Sequence, residues 1–160
     1  MQIYYTERLS VPASWWVIGL FFAVSFVSAV GLYAGPTVSV VASLVTAGVI
    51  AAALVAYGRC RIQVDSDGLH AGKAVLDWAS AGEVVALDRE ATGLRLGTGA
   101  DPAAWLVVRG YVHEAVEVTL TDPADPHPYW LVSTRHPAEL ADAIRLVQAT
   151  RADGHGVSAG

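Results

Sequence analysis

The chain has 160 residues, of which 54% are hydrophobic and 16% are charged, against about 25% charged residues in a typical soluble domain. This length accommodates one ordinary domain, or a membrane anchor with one small domain, and the scarcity of charge favours the second arrangement. The net charge of −5 disfavours nucleic acid and anionic lipid as ligands, and the single cysteine, Cys60, excludes an intramolecular disulfide.

Two long apolar segments follow a short N-terminal segment. VPASWWVIGLFFAVSFVSAVGLY covers residues 11–33, and TVSVVASLVTAGVIAAALVAY covers residues 37–57. No Asp, Glu, Lys or Arg lies between Arg8 and Arg59, and each segment has about the 20 residues that a helix needs to cross a bilayer. The connecting AGP at 34–36 contains a Gly-Pro pair that ends a helix and allows a tight reversal. We therefore predict a transmembrane helical hairpin.

Two alternatives to a hairpin were weighed. A signal peptide cleaved after Ala29 is disfavoured because Glu7 cancels the charge of Arg8, the apolar run is long, and a second run follows at once. A buried soluble core is disfavoured because two uncharged runs of this length are exceptional in soluble domains.

The few basic residues near the apolar segments predict the orientation of the hairpin. Arg8, Arg59 and Arg61 flank it on one side, whereas the connecting turn is uncharged. Positive residues concentrate on the cytoplasmic side of membrane proteins. We expect a cell-membrane protein with a cytoplasmic N-terminus at 1–10, an extracytoplasmic turn at 34–36 and both termini in the cytoplasm.

Small side chains recur every four residues in the second apolar segment, at Ser39, Ser43, Ala47 and Ala51. Such a stripe lets helices approach closely in lipid. It fits packing within the hairpin, and it equally fits contact with a second copy or another membrane protein.

After the hairpin, the pattern changes to short β-type runs separated by turn residues. The runs are RCRIQVD, LHAGKAVLDW, EVVALD, GLRLG, AAWLVVRGYVHEAVEVTLTD and PYWLVST. Their spacing of about ten residues predicts a small antiparallel β barrel or sandwich.

A helix is predicted in HPAELADAIRLVQAT, with Pro137 and Glu139 in its first turn. Leu140, Ile144 and Val147 share one face at helical spacing, so this helix can cover the sheet. We expect an α+β membrane protein with a cytoplasmic domain at 58–150 and a disordered tail at 151–160. Strands capped by a C-terminal helix resemble a pleckstrin-homology fold.

Several segments resemble one known family. These are ERLSVPASWW, the Gly58-Arg59 pair, ADPAAWLVVRGYV and DPADPHPYWLVSTRHPAEL. They resemble domain-of-unknown-function family 3093, an uncharacterised actinobacterial family of integral membrane proteins, over Tyr5 to about Val147. The resemblance implies a membrane protein and implies no activity.

The segment Asp122–Pro137 was tested for metal and hydrolytic chemistry. Asp122, Asp125 and His127 offer too few oxygen ligands for a calcium loop and lack the glycine at its bend. Ser133 and His136 lack the context of an activated nucleophile. We therefore predict neither a metal nor a cofactor, and a protein that is not an enzyme, with a membrane-bound hydrolase as the weaker alternative.

The remaining chemistry favours an interaction or structural cluster. Its members are Arg109, Asp122, Asp125, Tyr129, Trp130 and Arg135. An arginine beside Asp101, Asp122 or Asp125 would form a salt bridge that fastens loops, whereas tyrosine and tryptophan are residue types of interface anchors. We predict a membrane-anchored interaction or scaffold module that contacts the bilayer and a protein partner or second copy, but not nucleic acid. The alternative is a sensor of a lipid or small ligand near Arg109 and Arg135.

Overall fold

The computed structural model describes residues 3–58 and 60–156. The chain forms two compact units: Leu9–Cys60 is one, and the segments on either side of it form the other. The second unit is thus discontinuous in sequence, because its first strand precedes the hairpin.

The hairpin unit consists of helix α1, Ala13–Ala34, and helix α2, Pro36–Tyr57. Gly35 joins them with φ at 80°, which favours glycine, and Pro36 occupies the first helical position. Both helices are long and apolar enough to cross a membrane, and none of their apolar windows is buried within the protein. Because α1 ends at Ala34 and α2 begins at Pro36, the predicted turn at 34–36 is reduced to the single residue Gly35.

Close contacts hold the two helices together. A Cβ atom on Gly19 would lie 2.8 Å from Ile50 Cγ2, and one on Gly31 would lie 3.2 Å from Ser39 Oγ. Ser39 and Ser43 hydroxyls each donate to a carbonyl four residues earlier, at 2.8 and 2.7 Å. Ser39, the first residue of the predicted small-residue stripe, therefore packs against Gly31 within the hairpin. Ala47 and Ala51 line a shallow apolar cavity of about 260 Å³ between α1 and α2.

The other unit contains two four-stranded sheets. The first has the order β1-β2-β3-β4, formed by Ile3–Leu9, Cys60–Asp65, Gly68–Ala71 and Ala74–Asp77. The second has the order β5-β7-β8-β6, formed by Ala81–Leu87, Ala115–Leu120, Tyr129–Ser133 and Trp105–Val107. β6 pairs in parallel with β8, and the sheets are not joined edge to edge. The sequence predicts an antiparallel barrel or sandwich. The parallel β6–β8 pair differs from this prediction, and among the described strands the two sheets are not closed into a barrel, whereas nothing contradicts the sandwich alternative.

Two helices complete this unit: α3, Arg89–Leu96, and α4, Pro137–Gly156. The Asp88 side chain caps α3 by accepting from Ala91 N–H. The predicted GLRLG strand is wrong because this capped segment is helical. The predicted C-terminal helix is confirmed, and Leu140, Ile144 and Val147 are buried on its face against β5 and β7.

Three further differences from the sequence analysis concern the ends of elements. Residues 3–9, expected only as a cytoplasmic N-terminus, form edge strand β1. Residues 151–156, expected to be disordered, continue α4, whereas 157–160 lie outside the described residues. Arg59, used to predict the orientation, also lies outside them.

Candidate interaction surface

The proline-rich segment between β7 and β8 is organised by its own aspartates. Asp122 Oδ1 accepts from Ala124 N–H at 2.9 Å, and Asp125 Oδ1 accepts from His127 N–H at 2.9 Å. Side-chain turns of this type fix the conformation of a loop. The hydrogen bonds of both carboxylates are therefore explained by the loop itself.

The aromatic pair on β8 is buried. Tyr129 is 6% exposed and Trp130 is 7% exposed, which fits the structural role in the predicted cluster, while their role as interface anchors stays a prediction. Trp130 stacks on Trp105 of β6, with ring centroids 5.8 Å apart, and Trp105 is 39% exposed. The His127 ring lies edge-on to Trp105 at 5.2 Å. Trp105 is thus the surface aromatic that the sequence analysis missed.

An ion pair between the exposed Arg95 and the buried Glu117 supports this aromatic layer from α3. Arg95 donates from Nε to Glu117 Oε2 at 2.6 Å and from Nη2 to Glu117 Oε1 at 2.8 Å. The guanidinium also lies 5.2 Å from the centre of the Tyr129 ring, an arrangement that favours cation–π attraction. The two members are 22 residues apart on different elements, so the sequence carries no local signal for the pair.

A groove of about 390 Å³ lies between the turn of the β3–β4 hairpin and strand β6. Ala71, Lys73 and Ala74 from the β3–β4 hairpin line one side, and Trp105, Leu106 and Val107 of β6 line the other. Leu106 is 50% exposed. Both β4 and β6 are edge strands, and β6 pairs only with β8 among the described strands.

Asp65 fixes the sheet on the β4 side of the groove. Its buried carboxylate accepts from the backbone N–H groups of Asp67 and Gly68, at 2.9 and 3.1 Å, and lies 3.0 Å from His70 Nε2. Burial alone would raise the pKa of Asp65, but these two hydrogen bonds and His70 together hold the pKa below its ordinary value. The Trp78 indole N–H donates to the Asp65 carbonyl at 3.0 Å. The turn from β2 to β3 is therefore strongly determined.

The two predicted cluster arginines are not among the residues that line the groove. Arg109 N–H donates to Ser133 Oγ at 3.2 Å, and Arg135 N–H donates to Glu7 Oε1 at 3.1 Å. Glu7 also accepts from the hydroxyls of Tyr5 and Thr134. Burial and the charge of Glu7 raise the pKa of Tyr5 to about 12, against the opposing effect of its hydrogen bond with Thr134. Glu7 thus joins β1 to the start of α4.

A second cavity of about 390 Å³ lies beside Arg135. Its lining residues are Arg89, Tyr111, Val112, His113, Glu114, Thr134 and Arg135. They come from the first turn of α3, the segment before β7, and the segment before α4. The sensor alternative predicts a pocket near Arg109 and Arg135, and Arg135 lines this cavity whereas Arg109 does not.

The side chains of the weaker hydrolase and metal-site hypotheses have structural partners. Ser133 is fully buried and accepts from Arg109, and His136 Nδ1 lies 3.8 Å from Glu139. Within residues 3–58 and 60–156, no group of three His, Cys, Asp or Glu side chains could hold a metal ion. The absence of a cofactor and of enzyme activity stay predictions.

Comparison with known proteins gives one match. No curated protein and no solved structure matches this chain significantly. The sequence model described as protein of unknown function (DUF3093) matches residues 4–144, most of both units. The chain therefore belongs to domain-of-unknown-function family 3093.

Proposed function

We propose that the protein is a membrane-anchored interaction module whose groove between β4 and β6 binds an extended segment of a partner protein. The exposed β6 edge beside Trp105 is the observation that carries this proposal. Strand addition to an open edge uses main-chain hydrogen bonds for affinity and side-chain pockets for specificity.

The anchor is α1 with α2, and its location is the cell membrane with both termini in the cytoplasm. Its exposed side chains include Phe21, Phe22, Leu44 and Val49, each more than half exposed. Lipid would cover this apolar surface, which is much larger than soluble proteins expose. The two sheets and the terminal helix support a pleckstrin-homology-like domain that is open between β4 and β6.

The groove indicates the chemistry of the partner segment. Trp105 and Leu106 offer apolar contact, and Lys73 is an exposed cation that forms no ion pair with a described residue. A segment with an apolar side chain and a nearby carboxylate complements both features. The occupant is therefore an extended, acidic and partly apolar protein segment.

Site-specific photo-crosslinking in native membranes tests the proposal. A photoreactive residue replaces Leu106 or Lys73, and the matched control replaces Leu146, which is 56% exposed on α4. We expect one contiguous segment of one partner to crosslink from both groove positions and not from position 146. Trp105→Ala, in a protein that keeps its unfolding temperature, should remove both crosslinks.

Other crosslinking outcomes contradict this proposal. Crosslinks to a second copy alone would make the groove a homo-oligomer interface. Crosslinks to lipid alone, or equal crosslinking from position 146, would remove the groove as a protein-docking site.

The second candidate function is sensing of a small ligand or lipid headgroup, favoured by the cavity that Arg89 and Arg135 line. The hydrolase alternative gains no comparable observation, because the hydroxyl of its proposed nucleophile, Ser133, is buried and accepts from backbone.

A further inference from the structure

We infer that His127 is a positioning residue of the docking groove: it holds Trp105 and the start of β6 in the arrangement that receives the partner. The inference rests on the proposed function. His127 belongs to the proline-rich segment between β7 and β8, outside the residues that line the groove. That segment thereby has a role in docking beyond the turns that its own aspartates form.

Strand β6 needs support from outside its sheet. It has three residues, Trp105–Val107, and it pairs in parallel with β8. Parallel pairing is slightly less stable per residue than antiparallel pairing, and so short a strand forms few hydrogen bonds. A partner strand that adds to β6 requires β6 to stay in place. Contacts that hold the residues before β6 therefore bear directly on docking.

His127 makes one such contact with the backbone before β6. Its Nδ1 lies 2.6 Å from the carbonyl oxygen of Ala103. Because a carbonyl oxygen only accepts hydrogen bonds, Nδ1 carries the proton and donates. Asp101 Oδ1 accepts from the N–H of the same alanine at 2.8 Å. His127 thus ties the segment between β7 and β8 to the turn that leads into β6.

The same imidazole ring contacts the exposed indole of Trp105. The two rings lie edge-on with centroids 5.2 Å apart, and Trp130 stacks on Trp105 from β8 at 5.8 Å. Both geometries are among those that aromatic pairs prefer. A side chain that is already ordered loses less conformational entropy when a partner binds. His127 and Trp130 together therefore prepare Trp105 for docking.

Proline and aspartate fix the position of His127 itself. Pro126 and Pro128 flank it and restrict the backbone on both sides. Asp125 Oδ1 accepts from the His127 N–H at 2.9 Å, and the Pro128 carbonyl accepts from the Leu120 N–H of β7 at 3.0 Å. The order Asp-Pro-His-Pro therefore places the imidazole at a fixed position beside β6.

Amide hydrogen exchange of the full-length protein in phosphatidylcholine nanodiscs tests this tether without a partner. We expect His127→Ala to speed exchange of the β6 amides that bond to β8 by about fivefold, because one hydrogen bond that holds the strand is lost. Exchange in β7 should stay unchanged. His127→Asn keeps a donor near the position of Nδ1 and should restore slow exchange, whereas His127→Phe keeps only a ring and should not. The matched control is His113→Ala, at an exposed histidine before β7.

Photo-crosslinking from positions 106 and 73 in native membranes tests the consequence for docking. We expect His127→Ala and His127→Phe to reduce partner crosslinks by about fivefold or more at the wild-type unfolding temperature. His127→Asn should retain most of the crosslinks, which a loss of bulk or of ring contact alone does not explain.

Unchanged exchange of β6 in His127→Ala would overturn the inference, and so would faster exchange with full retention of partner crosslinks. An equal effect of His113→Ala on β6 would also overturn it. If the wild type crosslinks no partner while His127→Ala still speeds exchange of β6, the tether is supported and the proposed docking function is contradicted. The two failures are therefore distinguishable.

Discussion

The two edge strands of the sheet β5-β7-β8-β6 differ in whether a helix covers them. At the β5 edge, Arg145 of α4 donates to the Val84 carbonyl at 2.8 Å, and Gln148 donates to the Ala81 and Gly82 carbonyls at 3.2 and 3.0 Å. At the β6 edge, three residues border an open groove with Trp105 and Leu106 at its surface. Uncovered edges invite pairing with another chain. The helix therefore covers the β5 edge, and we propose that the β6 edge receives a partner.

The largest expected effect comes from weakening the packing of α4 against β5. Ile144 is fully buried on α4, and truncation of a buried isoleucine to alanine costs about 2–5 kcal/mol. We expect Ile144→Ala to lower the free energy of unfolding by that amount and to increase self-association through β5. Thermal unfolding in detergent, with size-exclusion chromatography, measures both. Leu146→Ala, at an exposed position of the same helix, is the control; equal destabilisation by the two variants would contradict the packing role of α4.

The next effect concerns the β4 side of the groove and its dependence on pH. The folded pKa of Asp65 lies below the unfolded value, so its carboxylate contributes stability above the unfolded pKa of about 4. That contribution is lost as pH falls through the lower folded pKa. We expect the wild type to lose stability as the pH falls below about 4. Asp65→Asn, which is already destabilised by about 1–3 kcal/mol at pH 7, should lose less stability over the same range. Circular dichroism against pH measures this, and parallel curves would remove the role of the Asp65 charge.

A smaller effect is expected from uncovering β5 without disturbing the core. Gln148→Ala removes two hydrogen bonds to β5 carbonyls, each worth about 1 kcal/mol net. We expect a loss of about 1–2 kcal/mol and slow formation of dimers through the exposed edge. Thr150→Ala removes only a hydrogen bond within α4, to the Leu146 carbonyl, and serves as the control. If Gln148→Ala stays monomeric like the Thr150→Ala control, the hydrogen bonds from Gln148 to β5 are not what prevents dimer formation through that edge.

The smallest effect on stability should come from the open edge itself. Leu106→Asp places a charge at a half-exposed position, where substitutions usually change the free energy of unfolding by less than about 0.5 kcal/mol. Partner crosslinking at position 73 should nevertheless be lost, because the charge prevents apolar docking at β6. A clearly lowered free energy of unfolding of Leu106→Asp would contradict the view that β6 contributes little to stability. Retained crosslinking at position 73 would contradict the proposal that β6 binds the partner.

The sequence predicts much of this fold because several signals are local. Two long segments without charged residues predict the α1–α2 pair, and the Gly-Pro pair between them predicts the turn. The helical spacing of Leu140, Ile144 and Val147 predicts the buried face of α4. The strand β8 follows from the run PYWLVST. Two segments are predicted wrongly. GLRLG has strand-like alternation, but the Asp88 side chain caps a helix there. Residues 3–9 form a strand that pairs with β2, which follows the hairpin in the sequence, so no nearby residues indicate this strand.

The candidate sites were predicted less well because their members are distant in sequence. The sequence singles out the PYW segment, but only the pairing of β6 with β8 shows that Trp105 stacks on Trp130. Arg135 was singled out from its position after a strand, whereas Arg89 joins it through the folding of α3 beside the segment before β7.

The sequence by itself determined the apolar hairpin, most strands and the amphipathic terminal helix, because hydrophobic periodicity and turn chemistry act over a few residues. Only the tertiary structure decided which sheet edges are covered and that Arg95 pairs with Glu117. It also decided that β1 pairs with β2, although the hairpin separates these strands in the sequence. Those outcomes depend on long-range packing and on hydrogen-bond partners for buried groups. No local pattern of side chains specifies them.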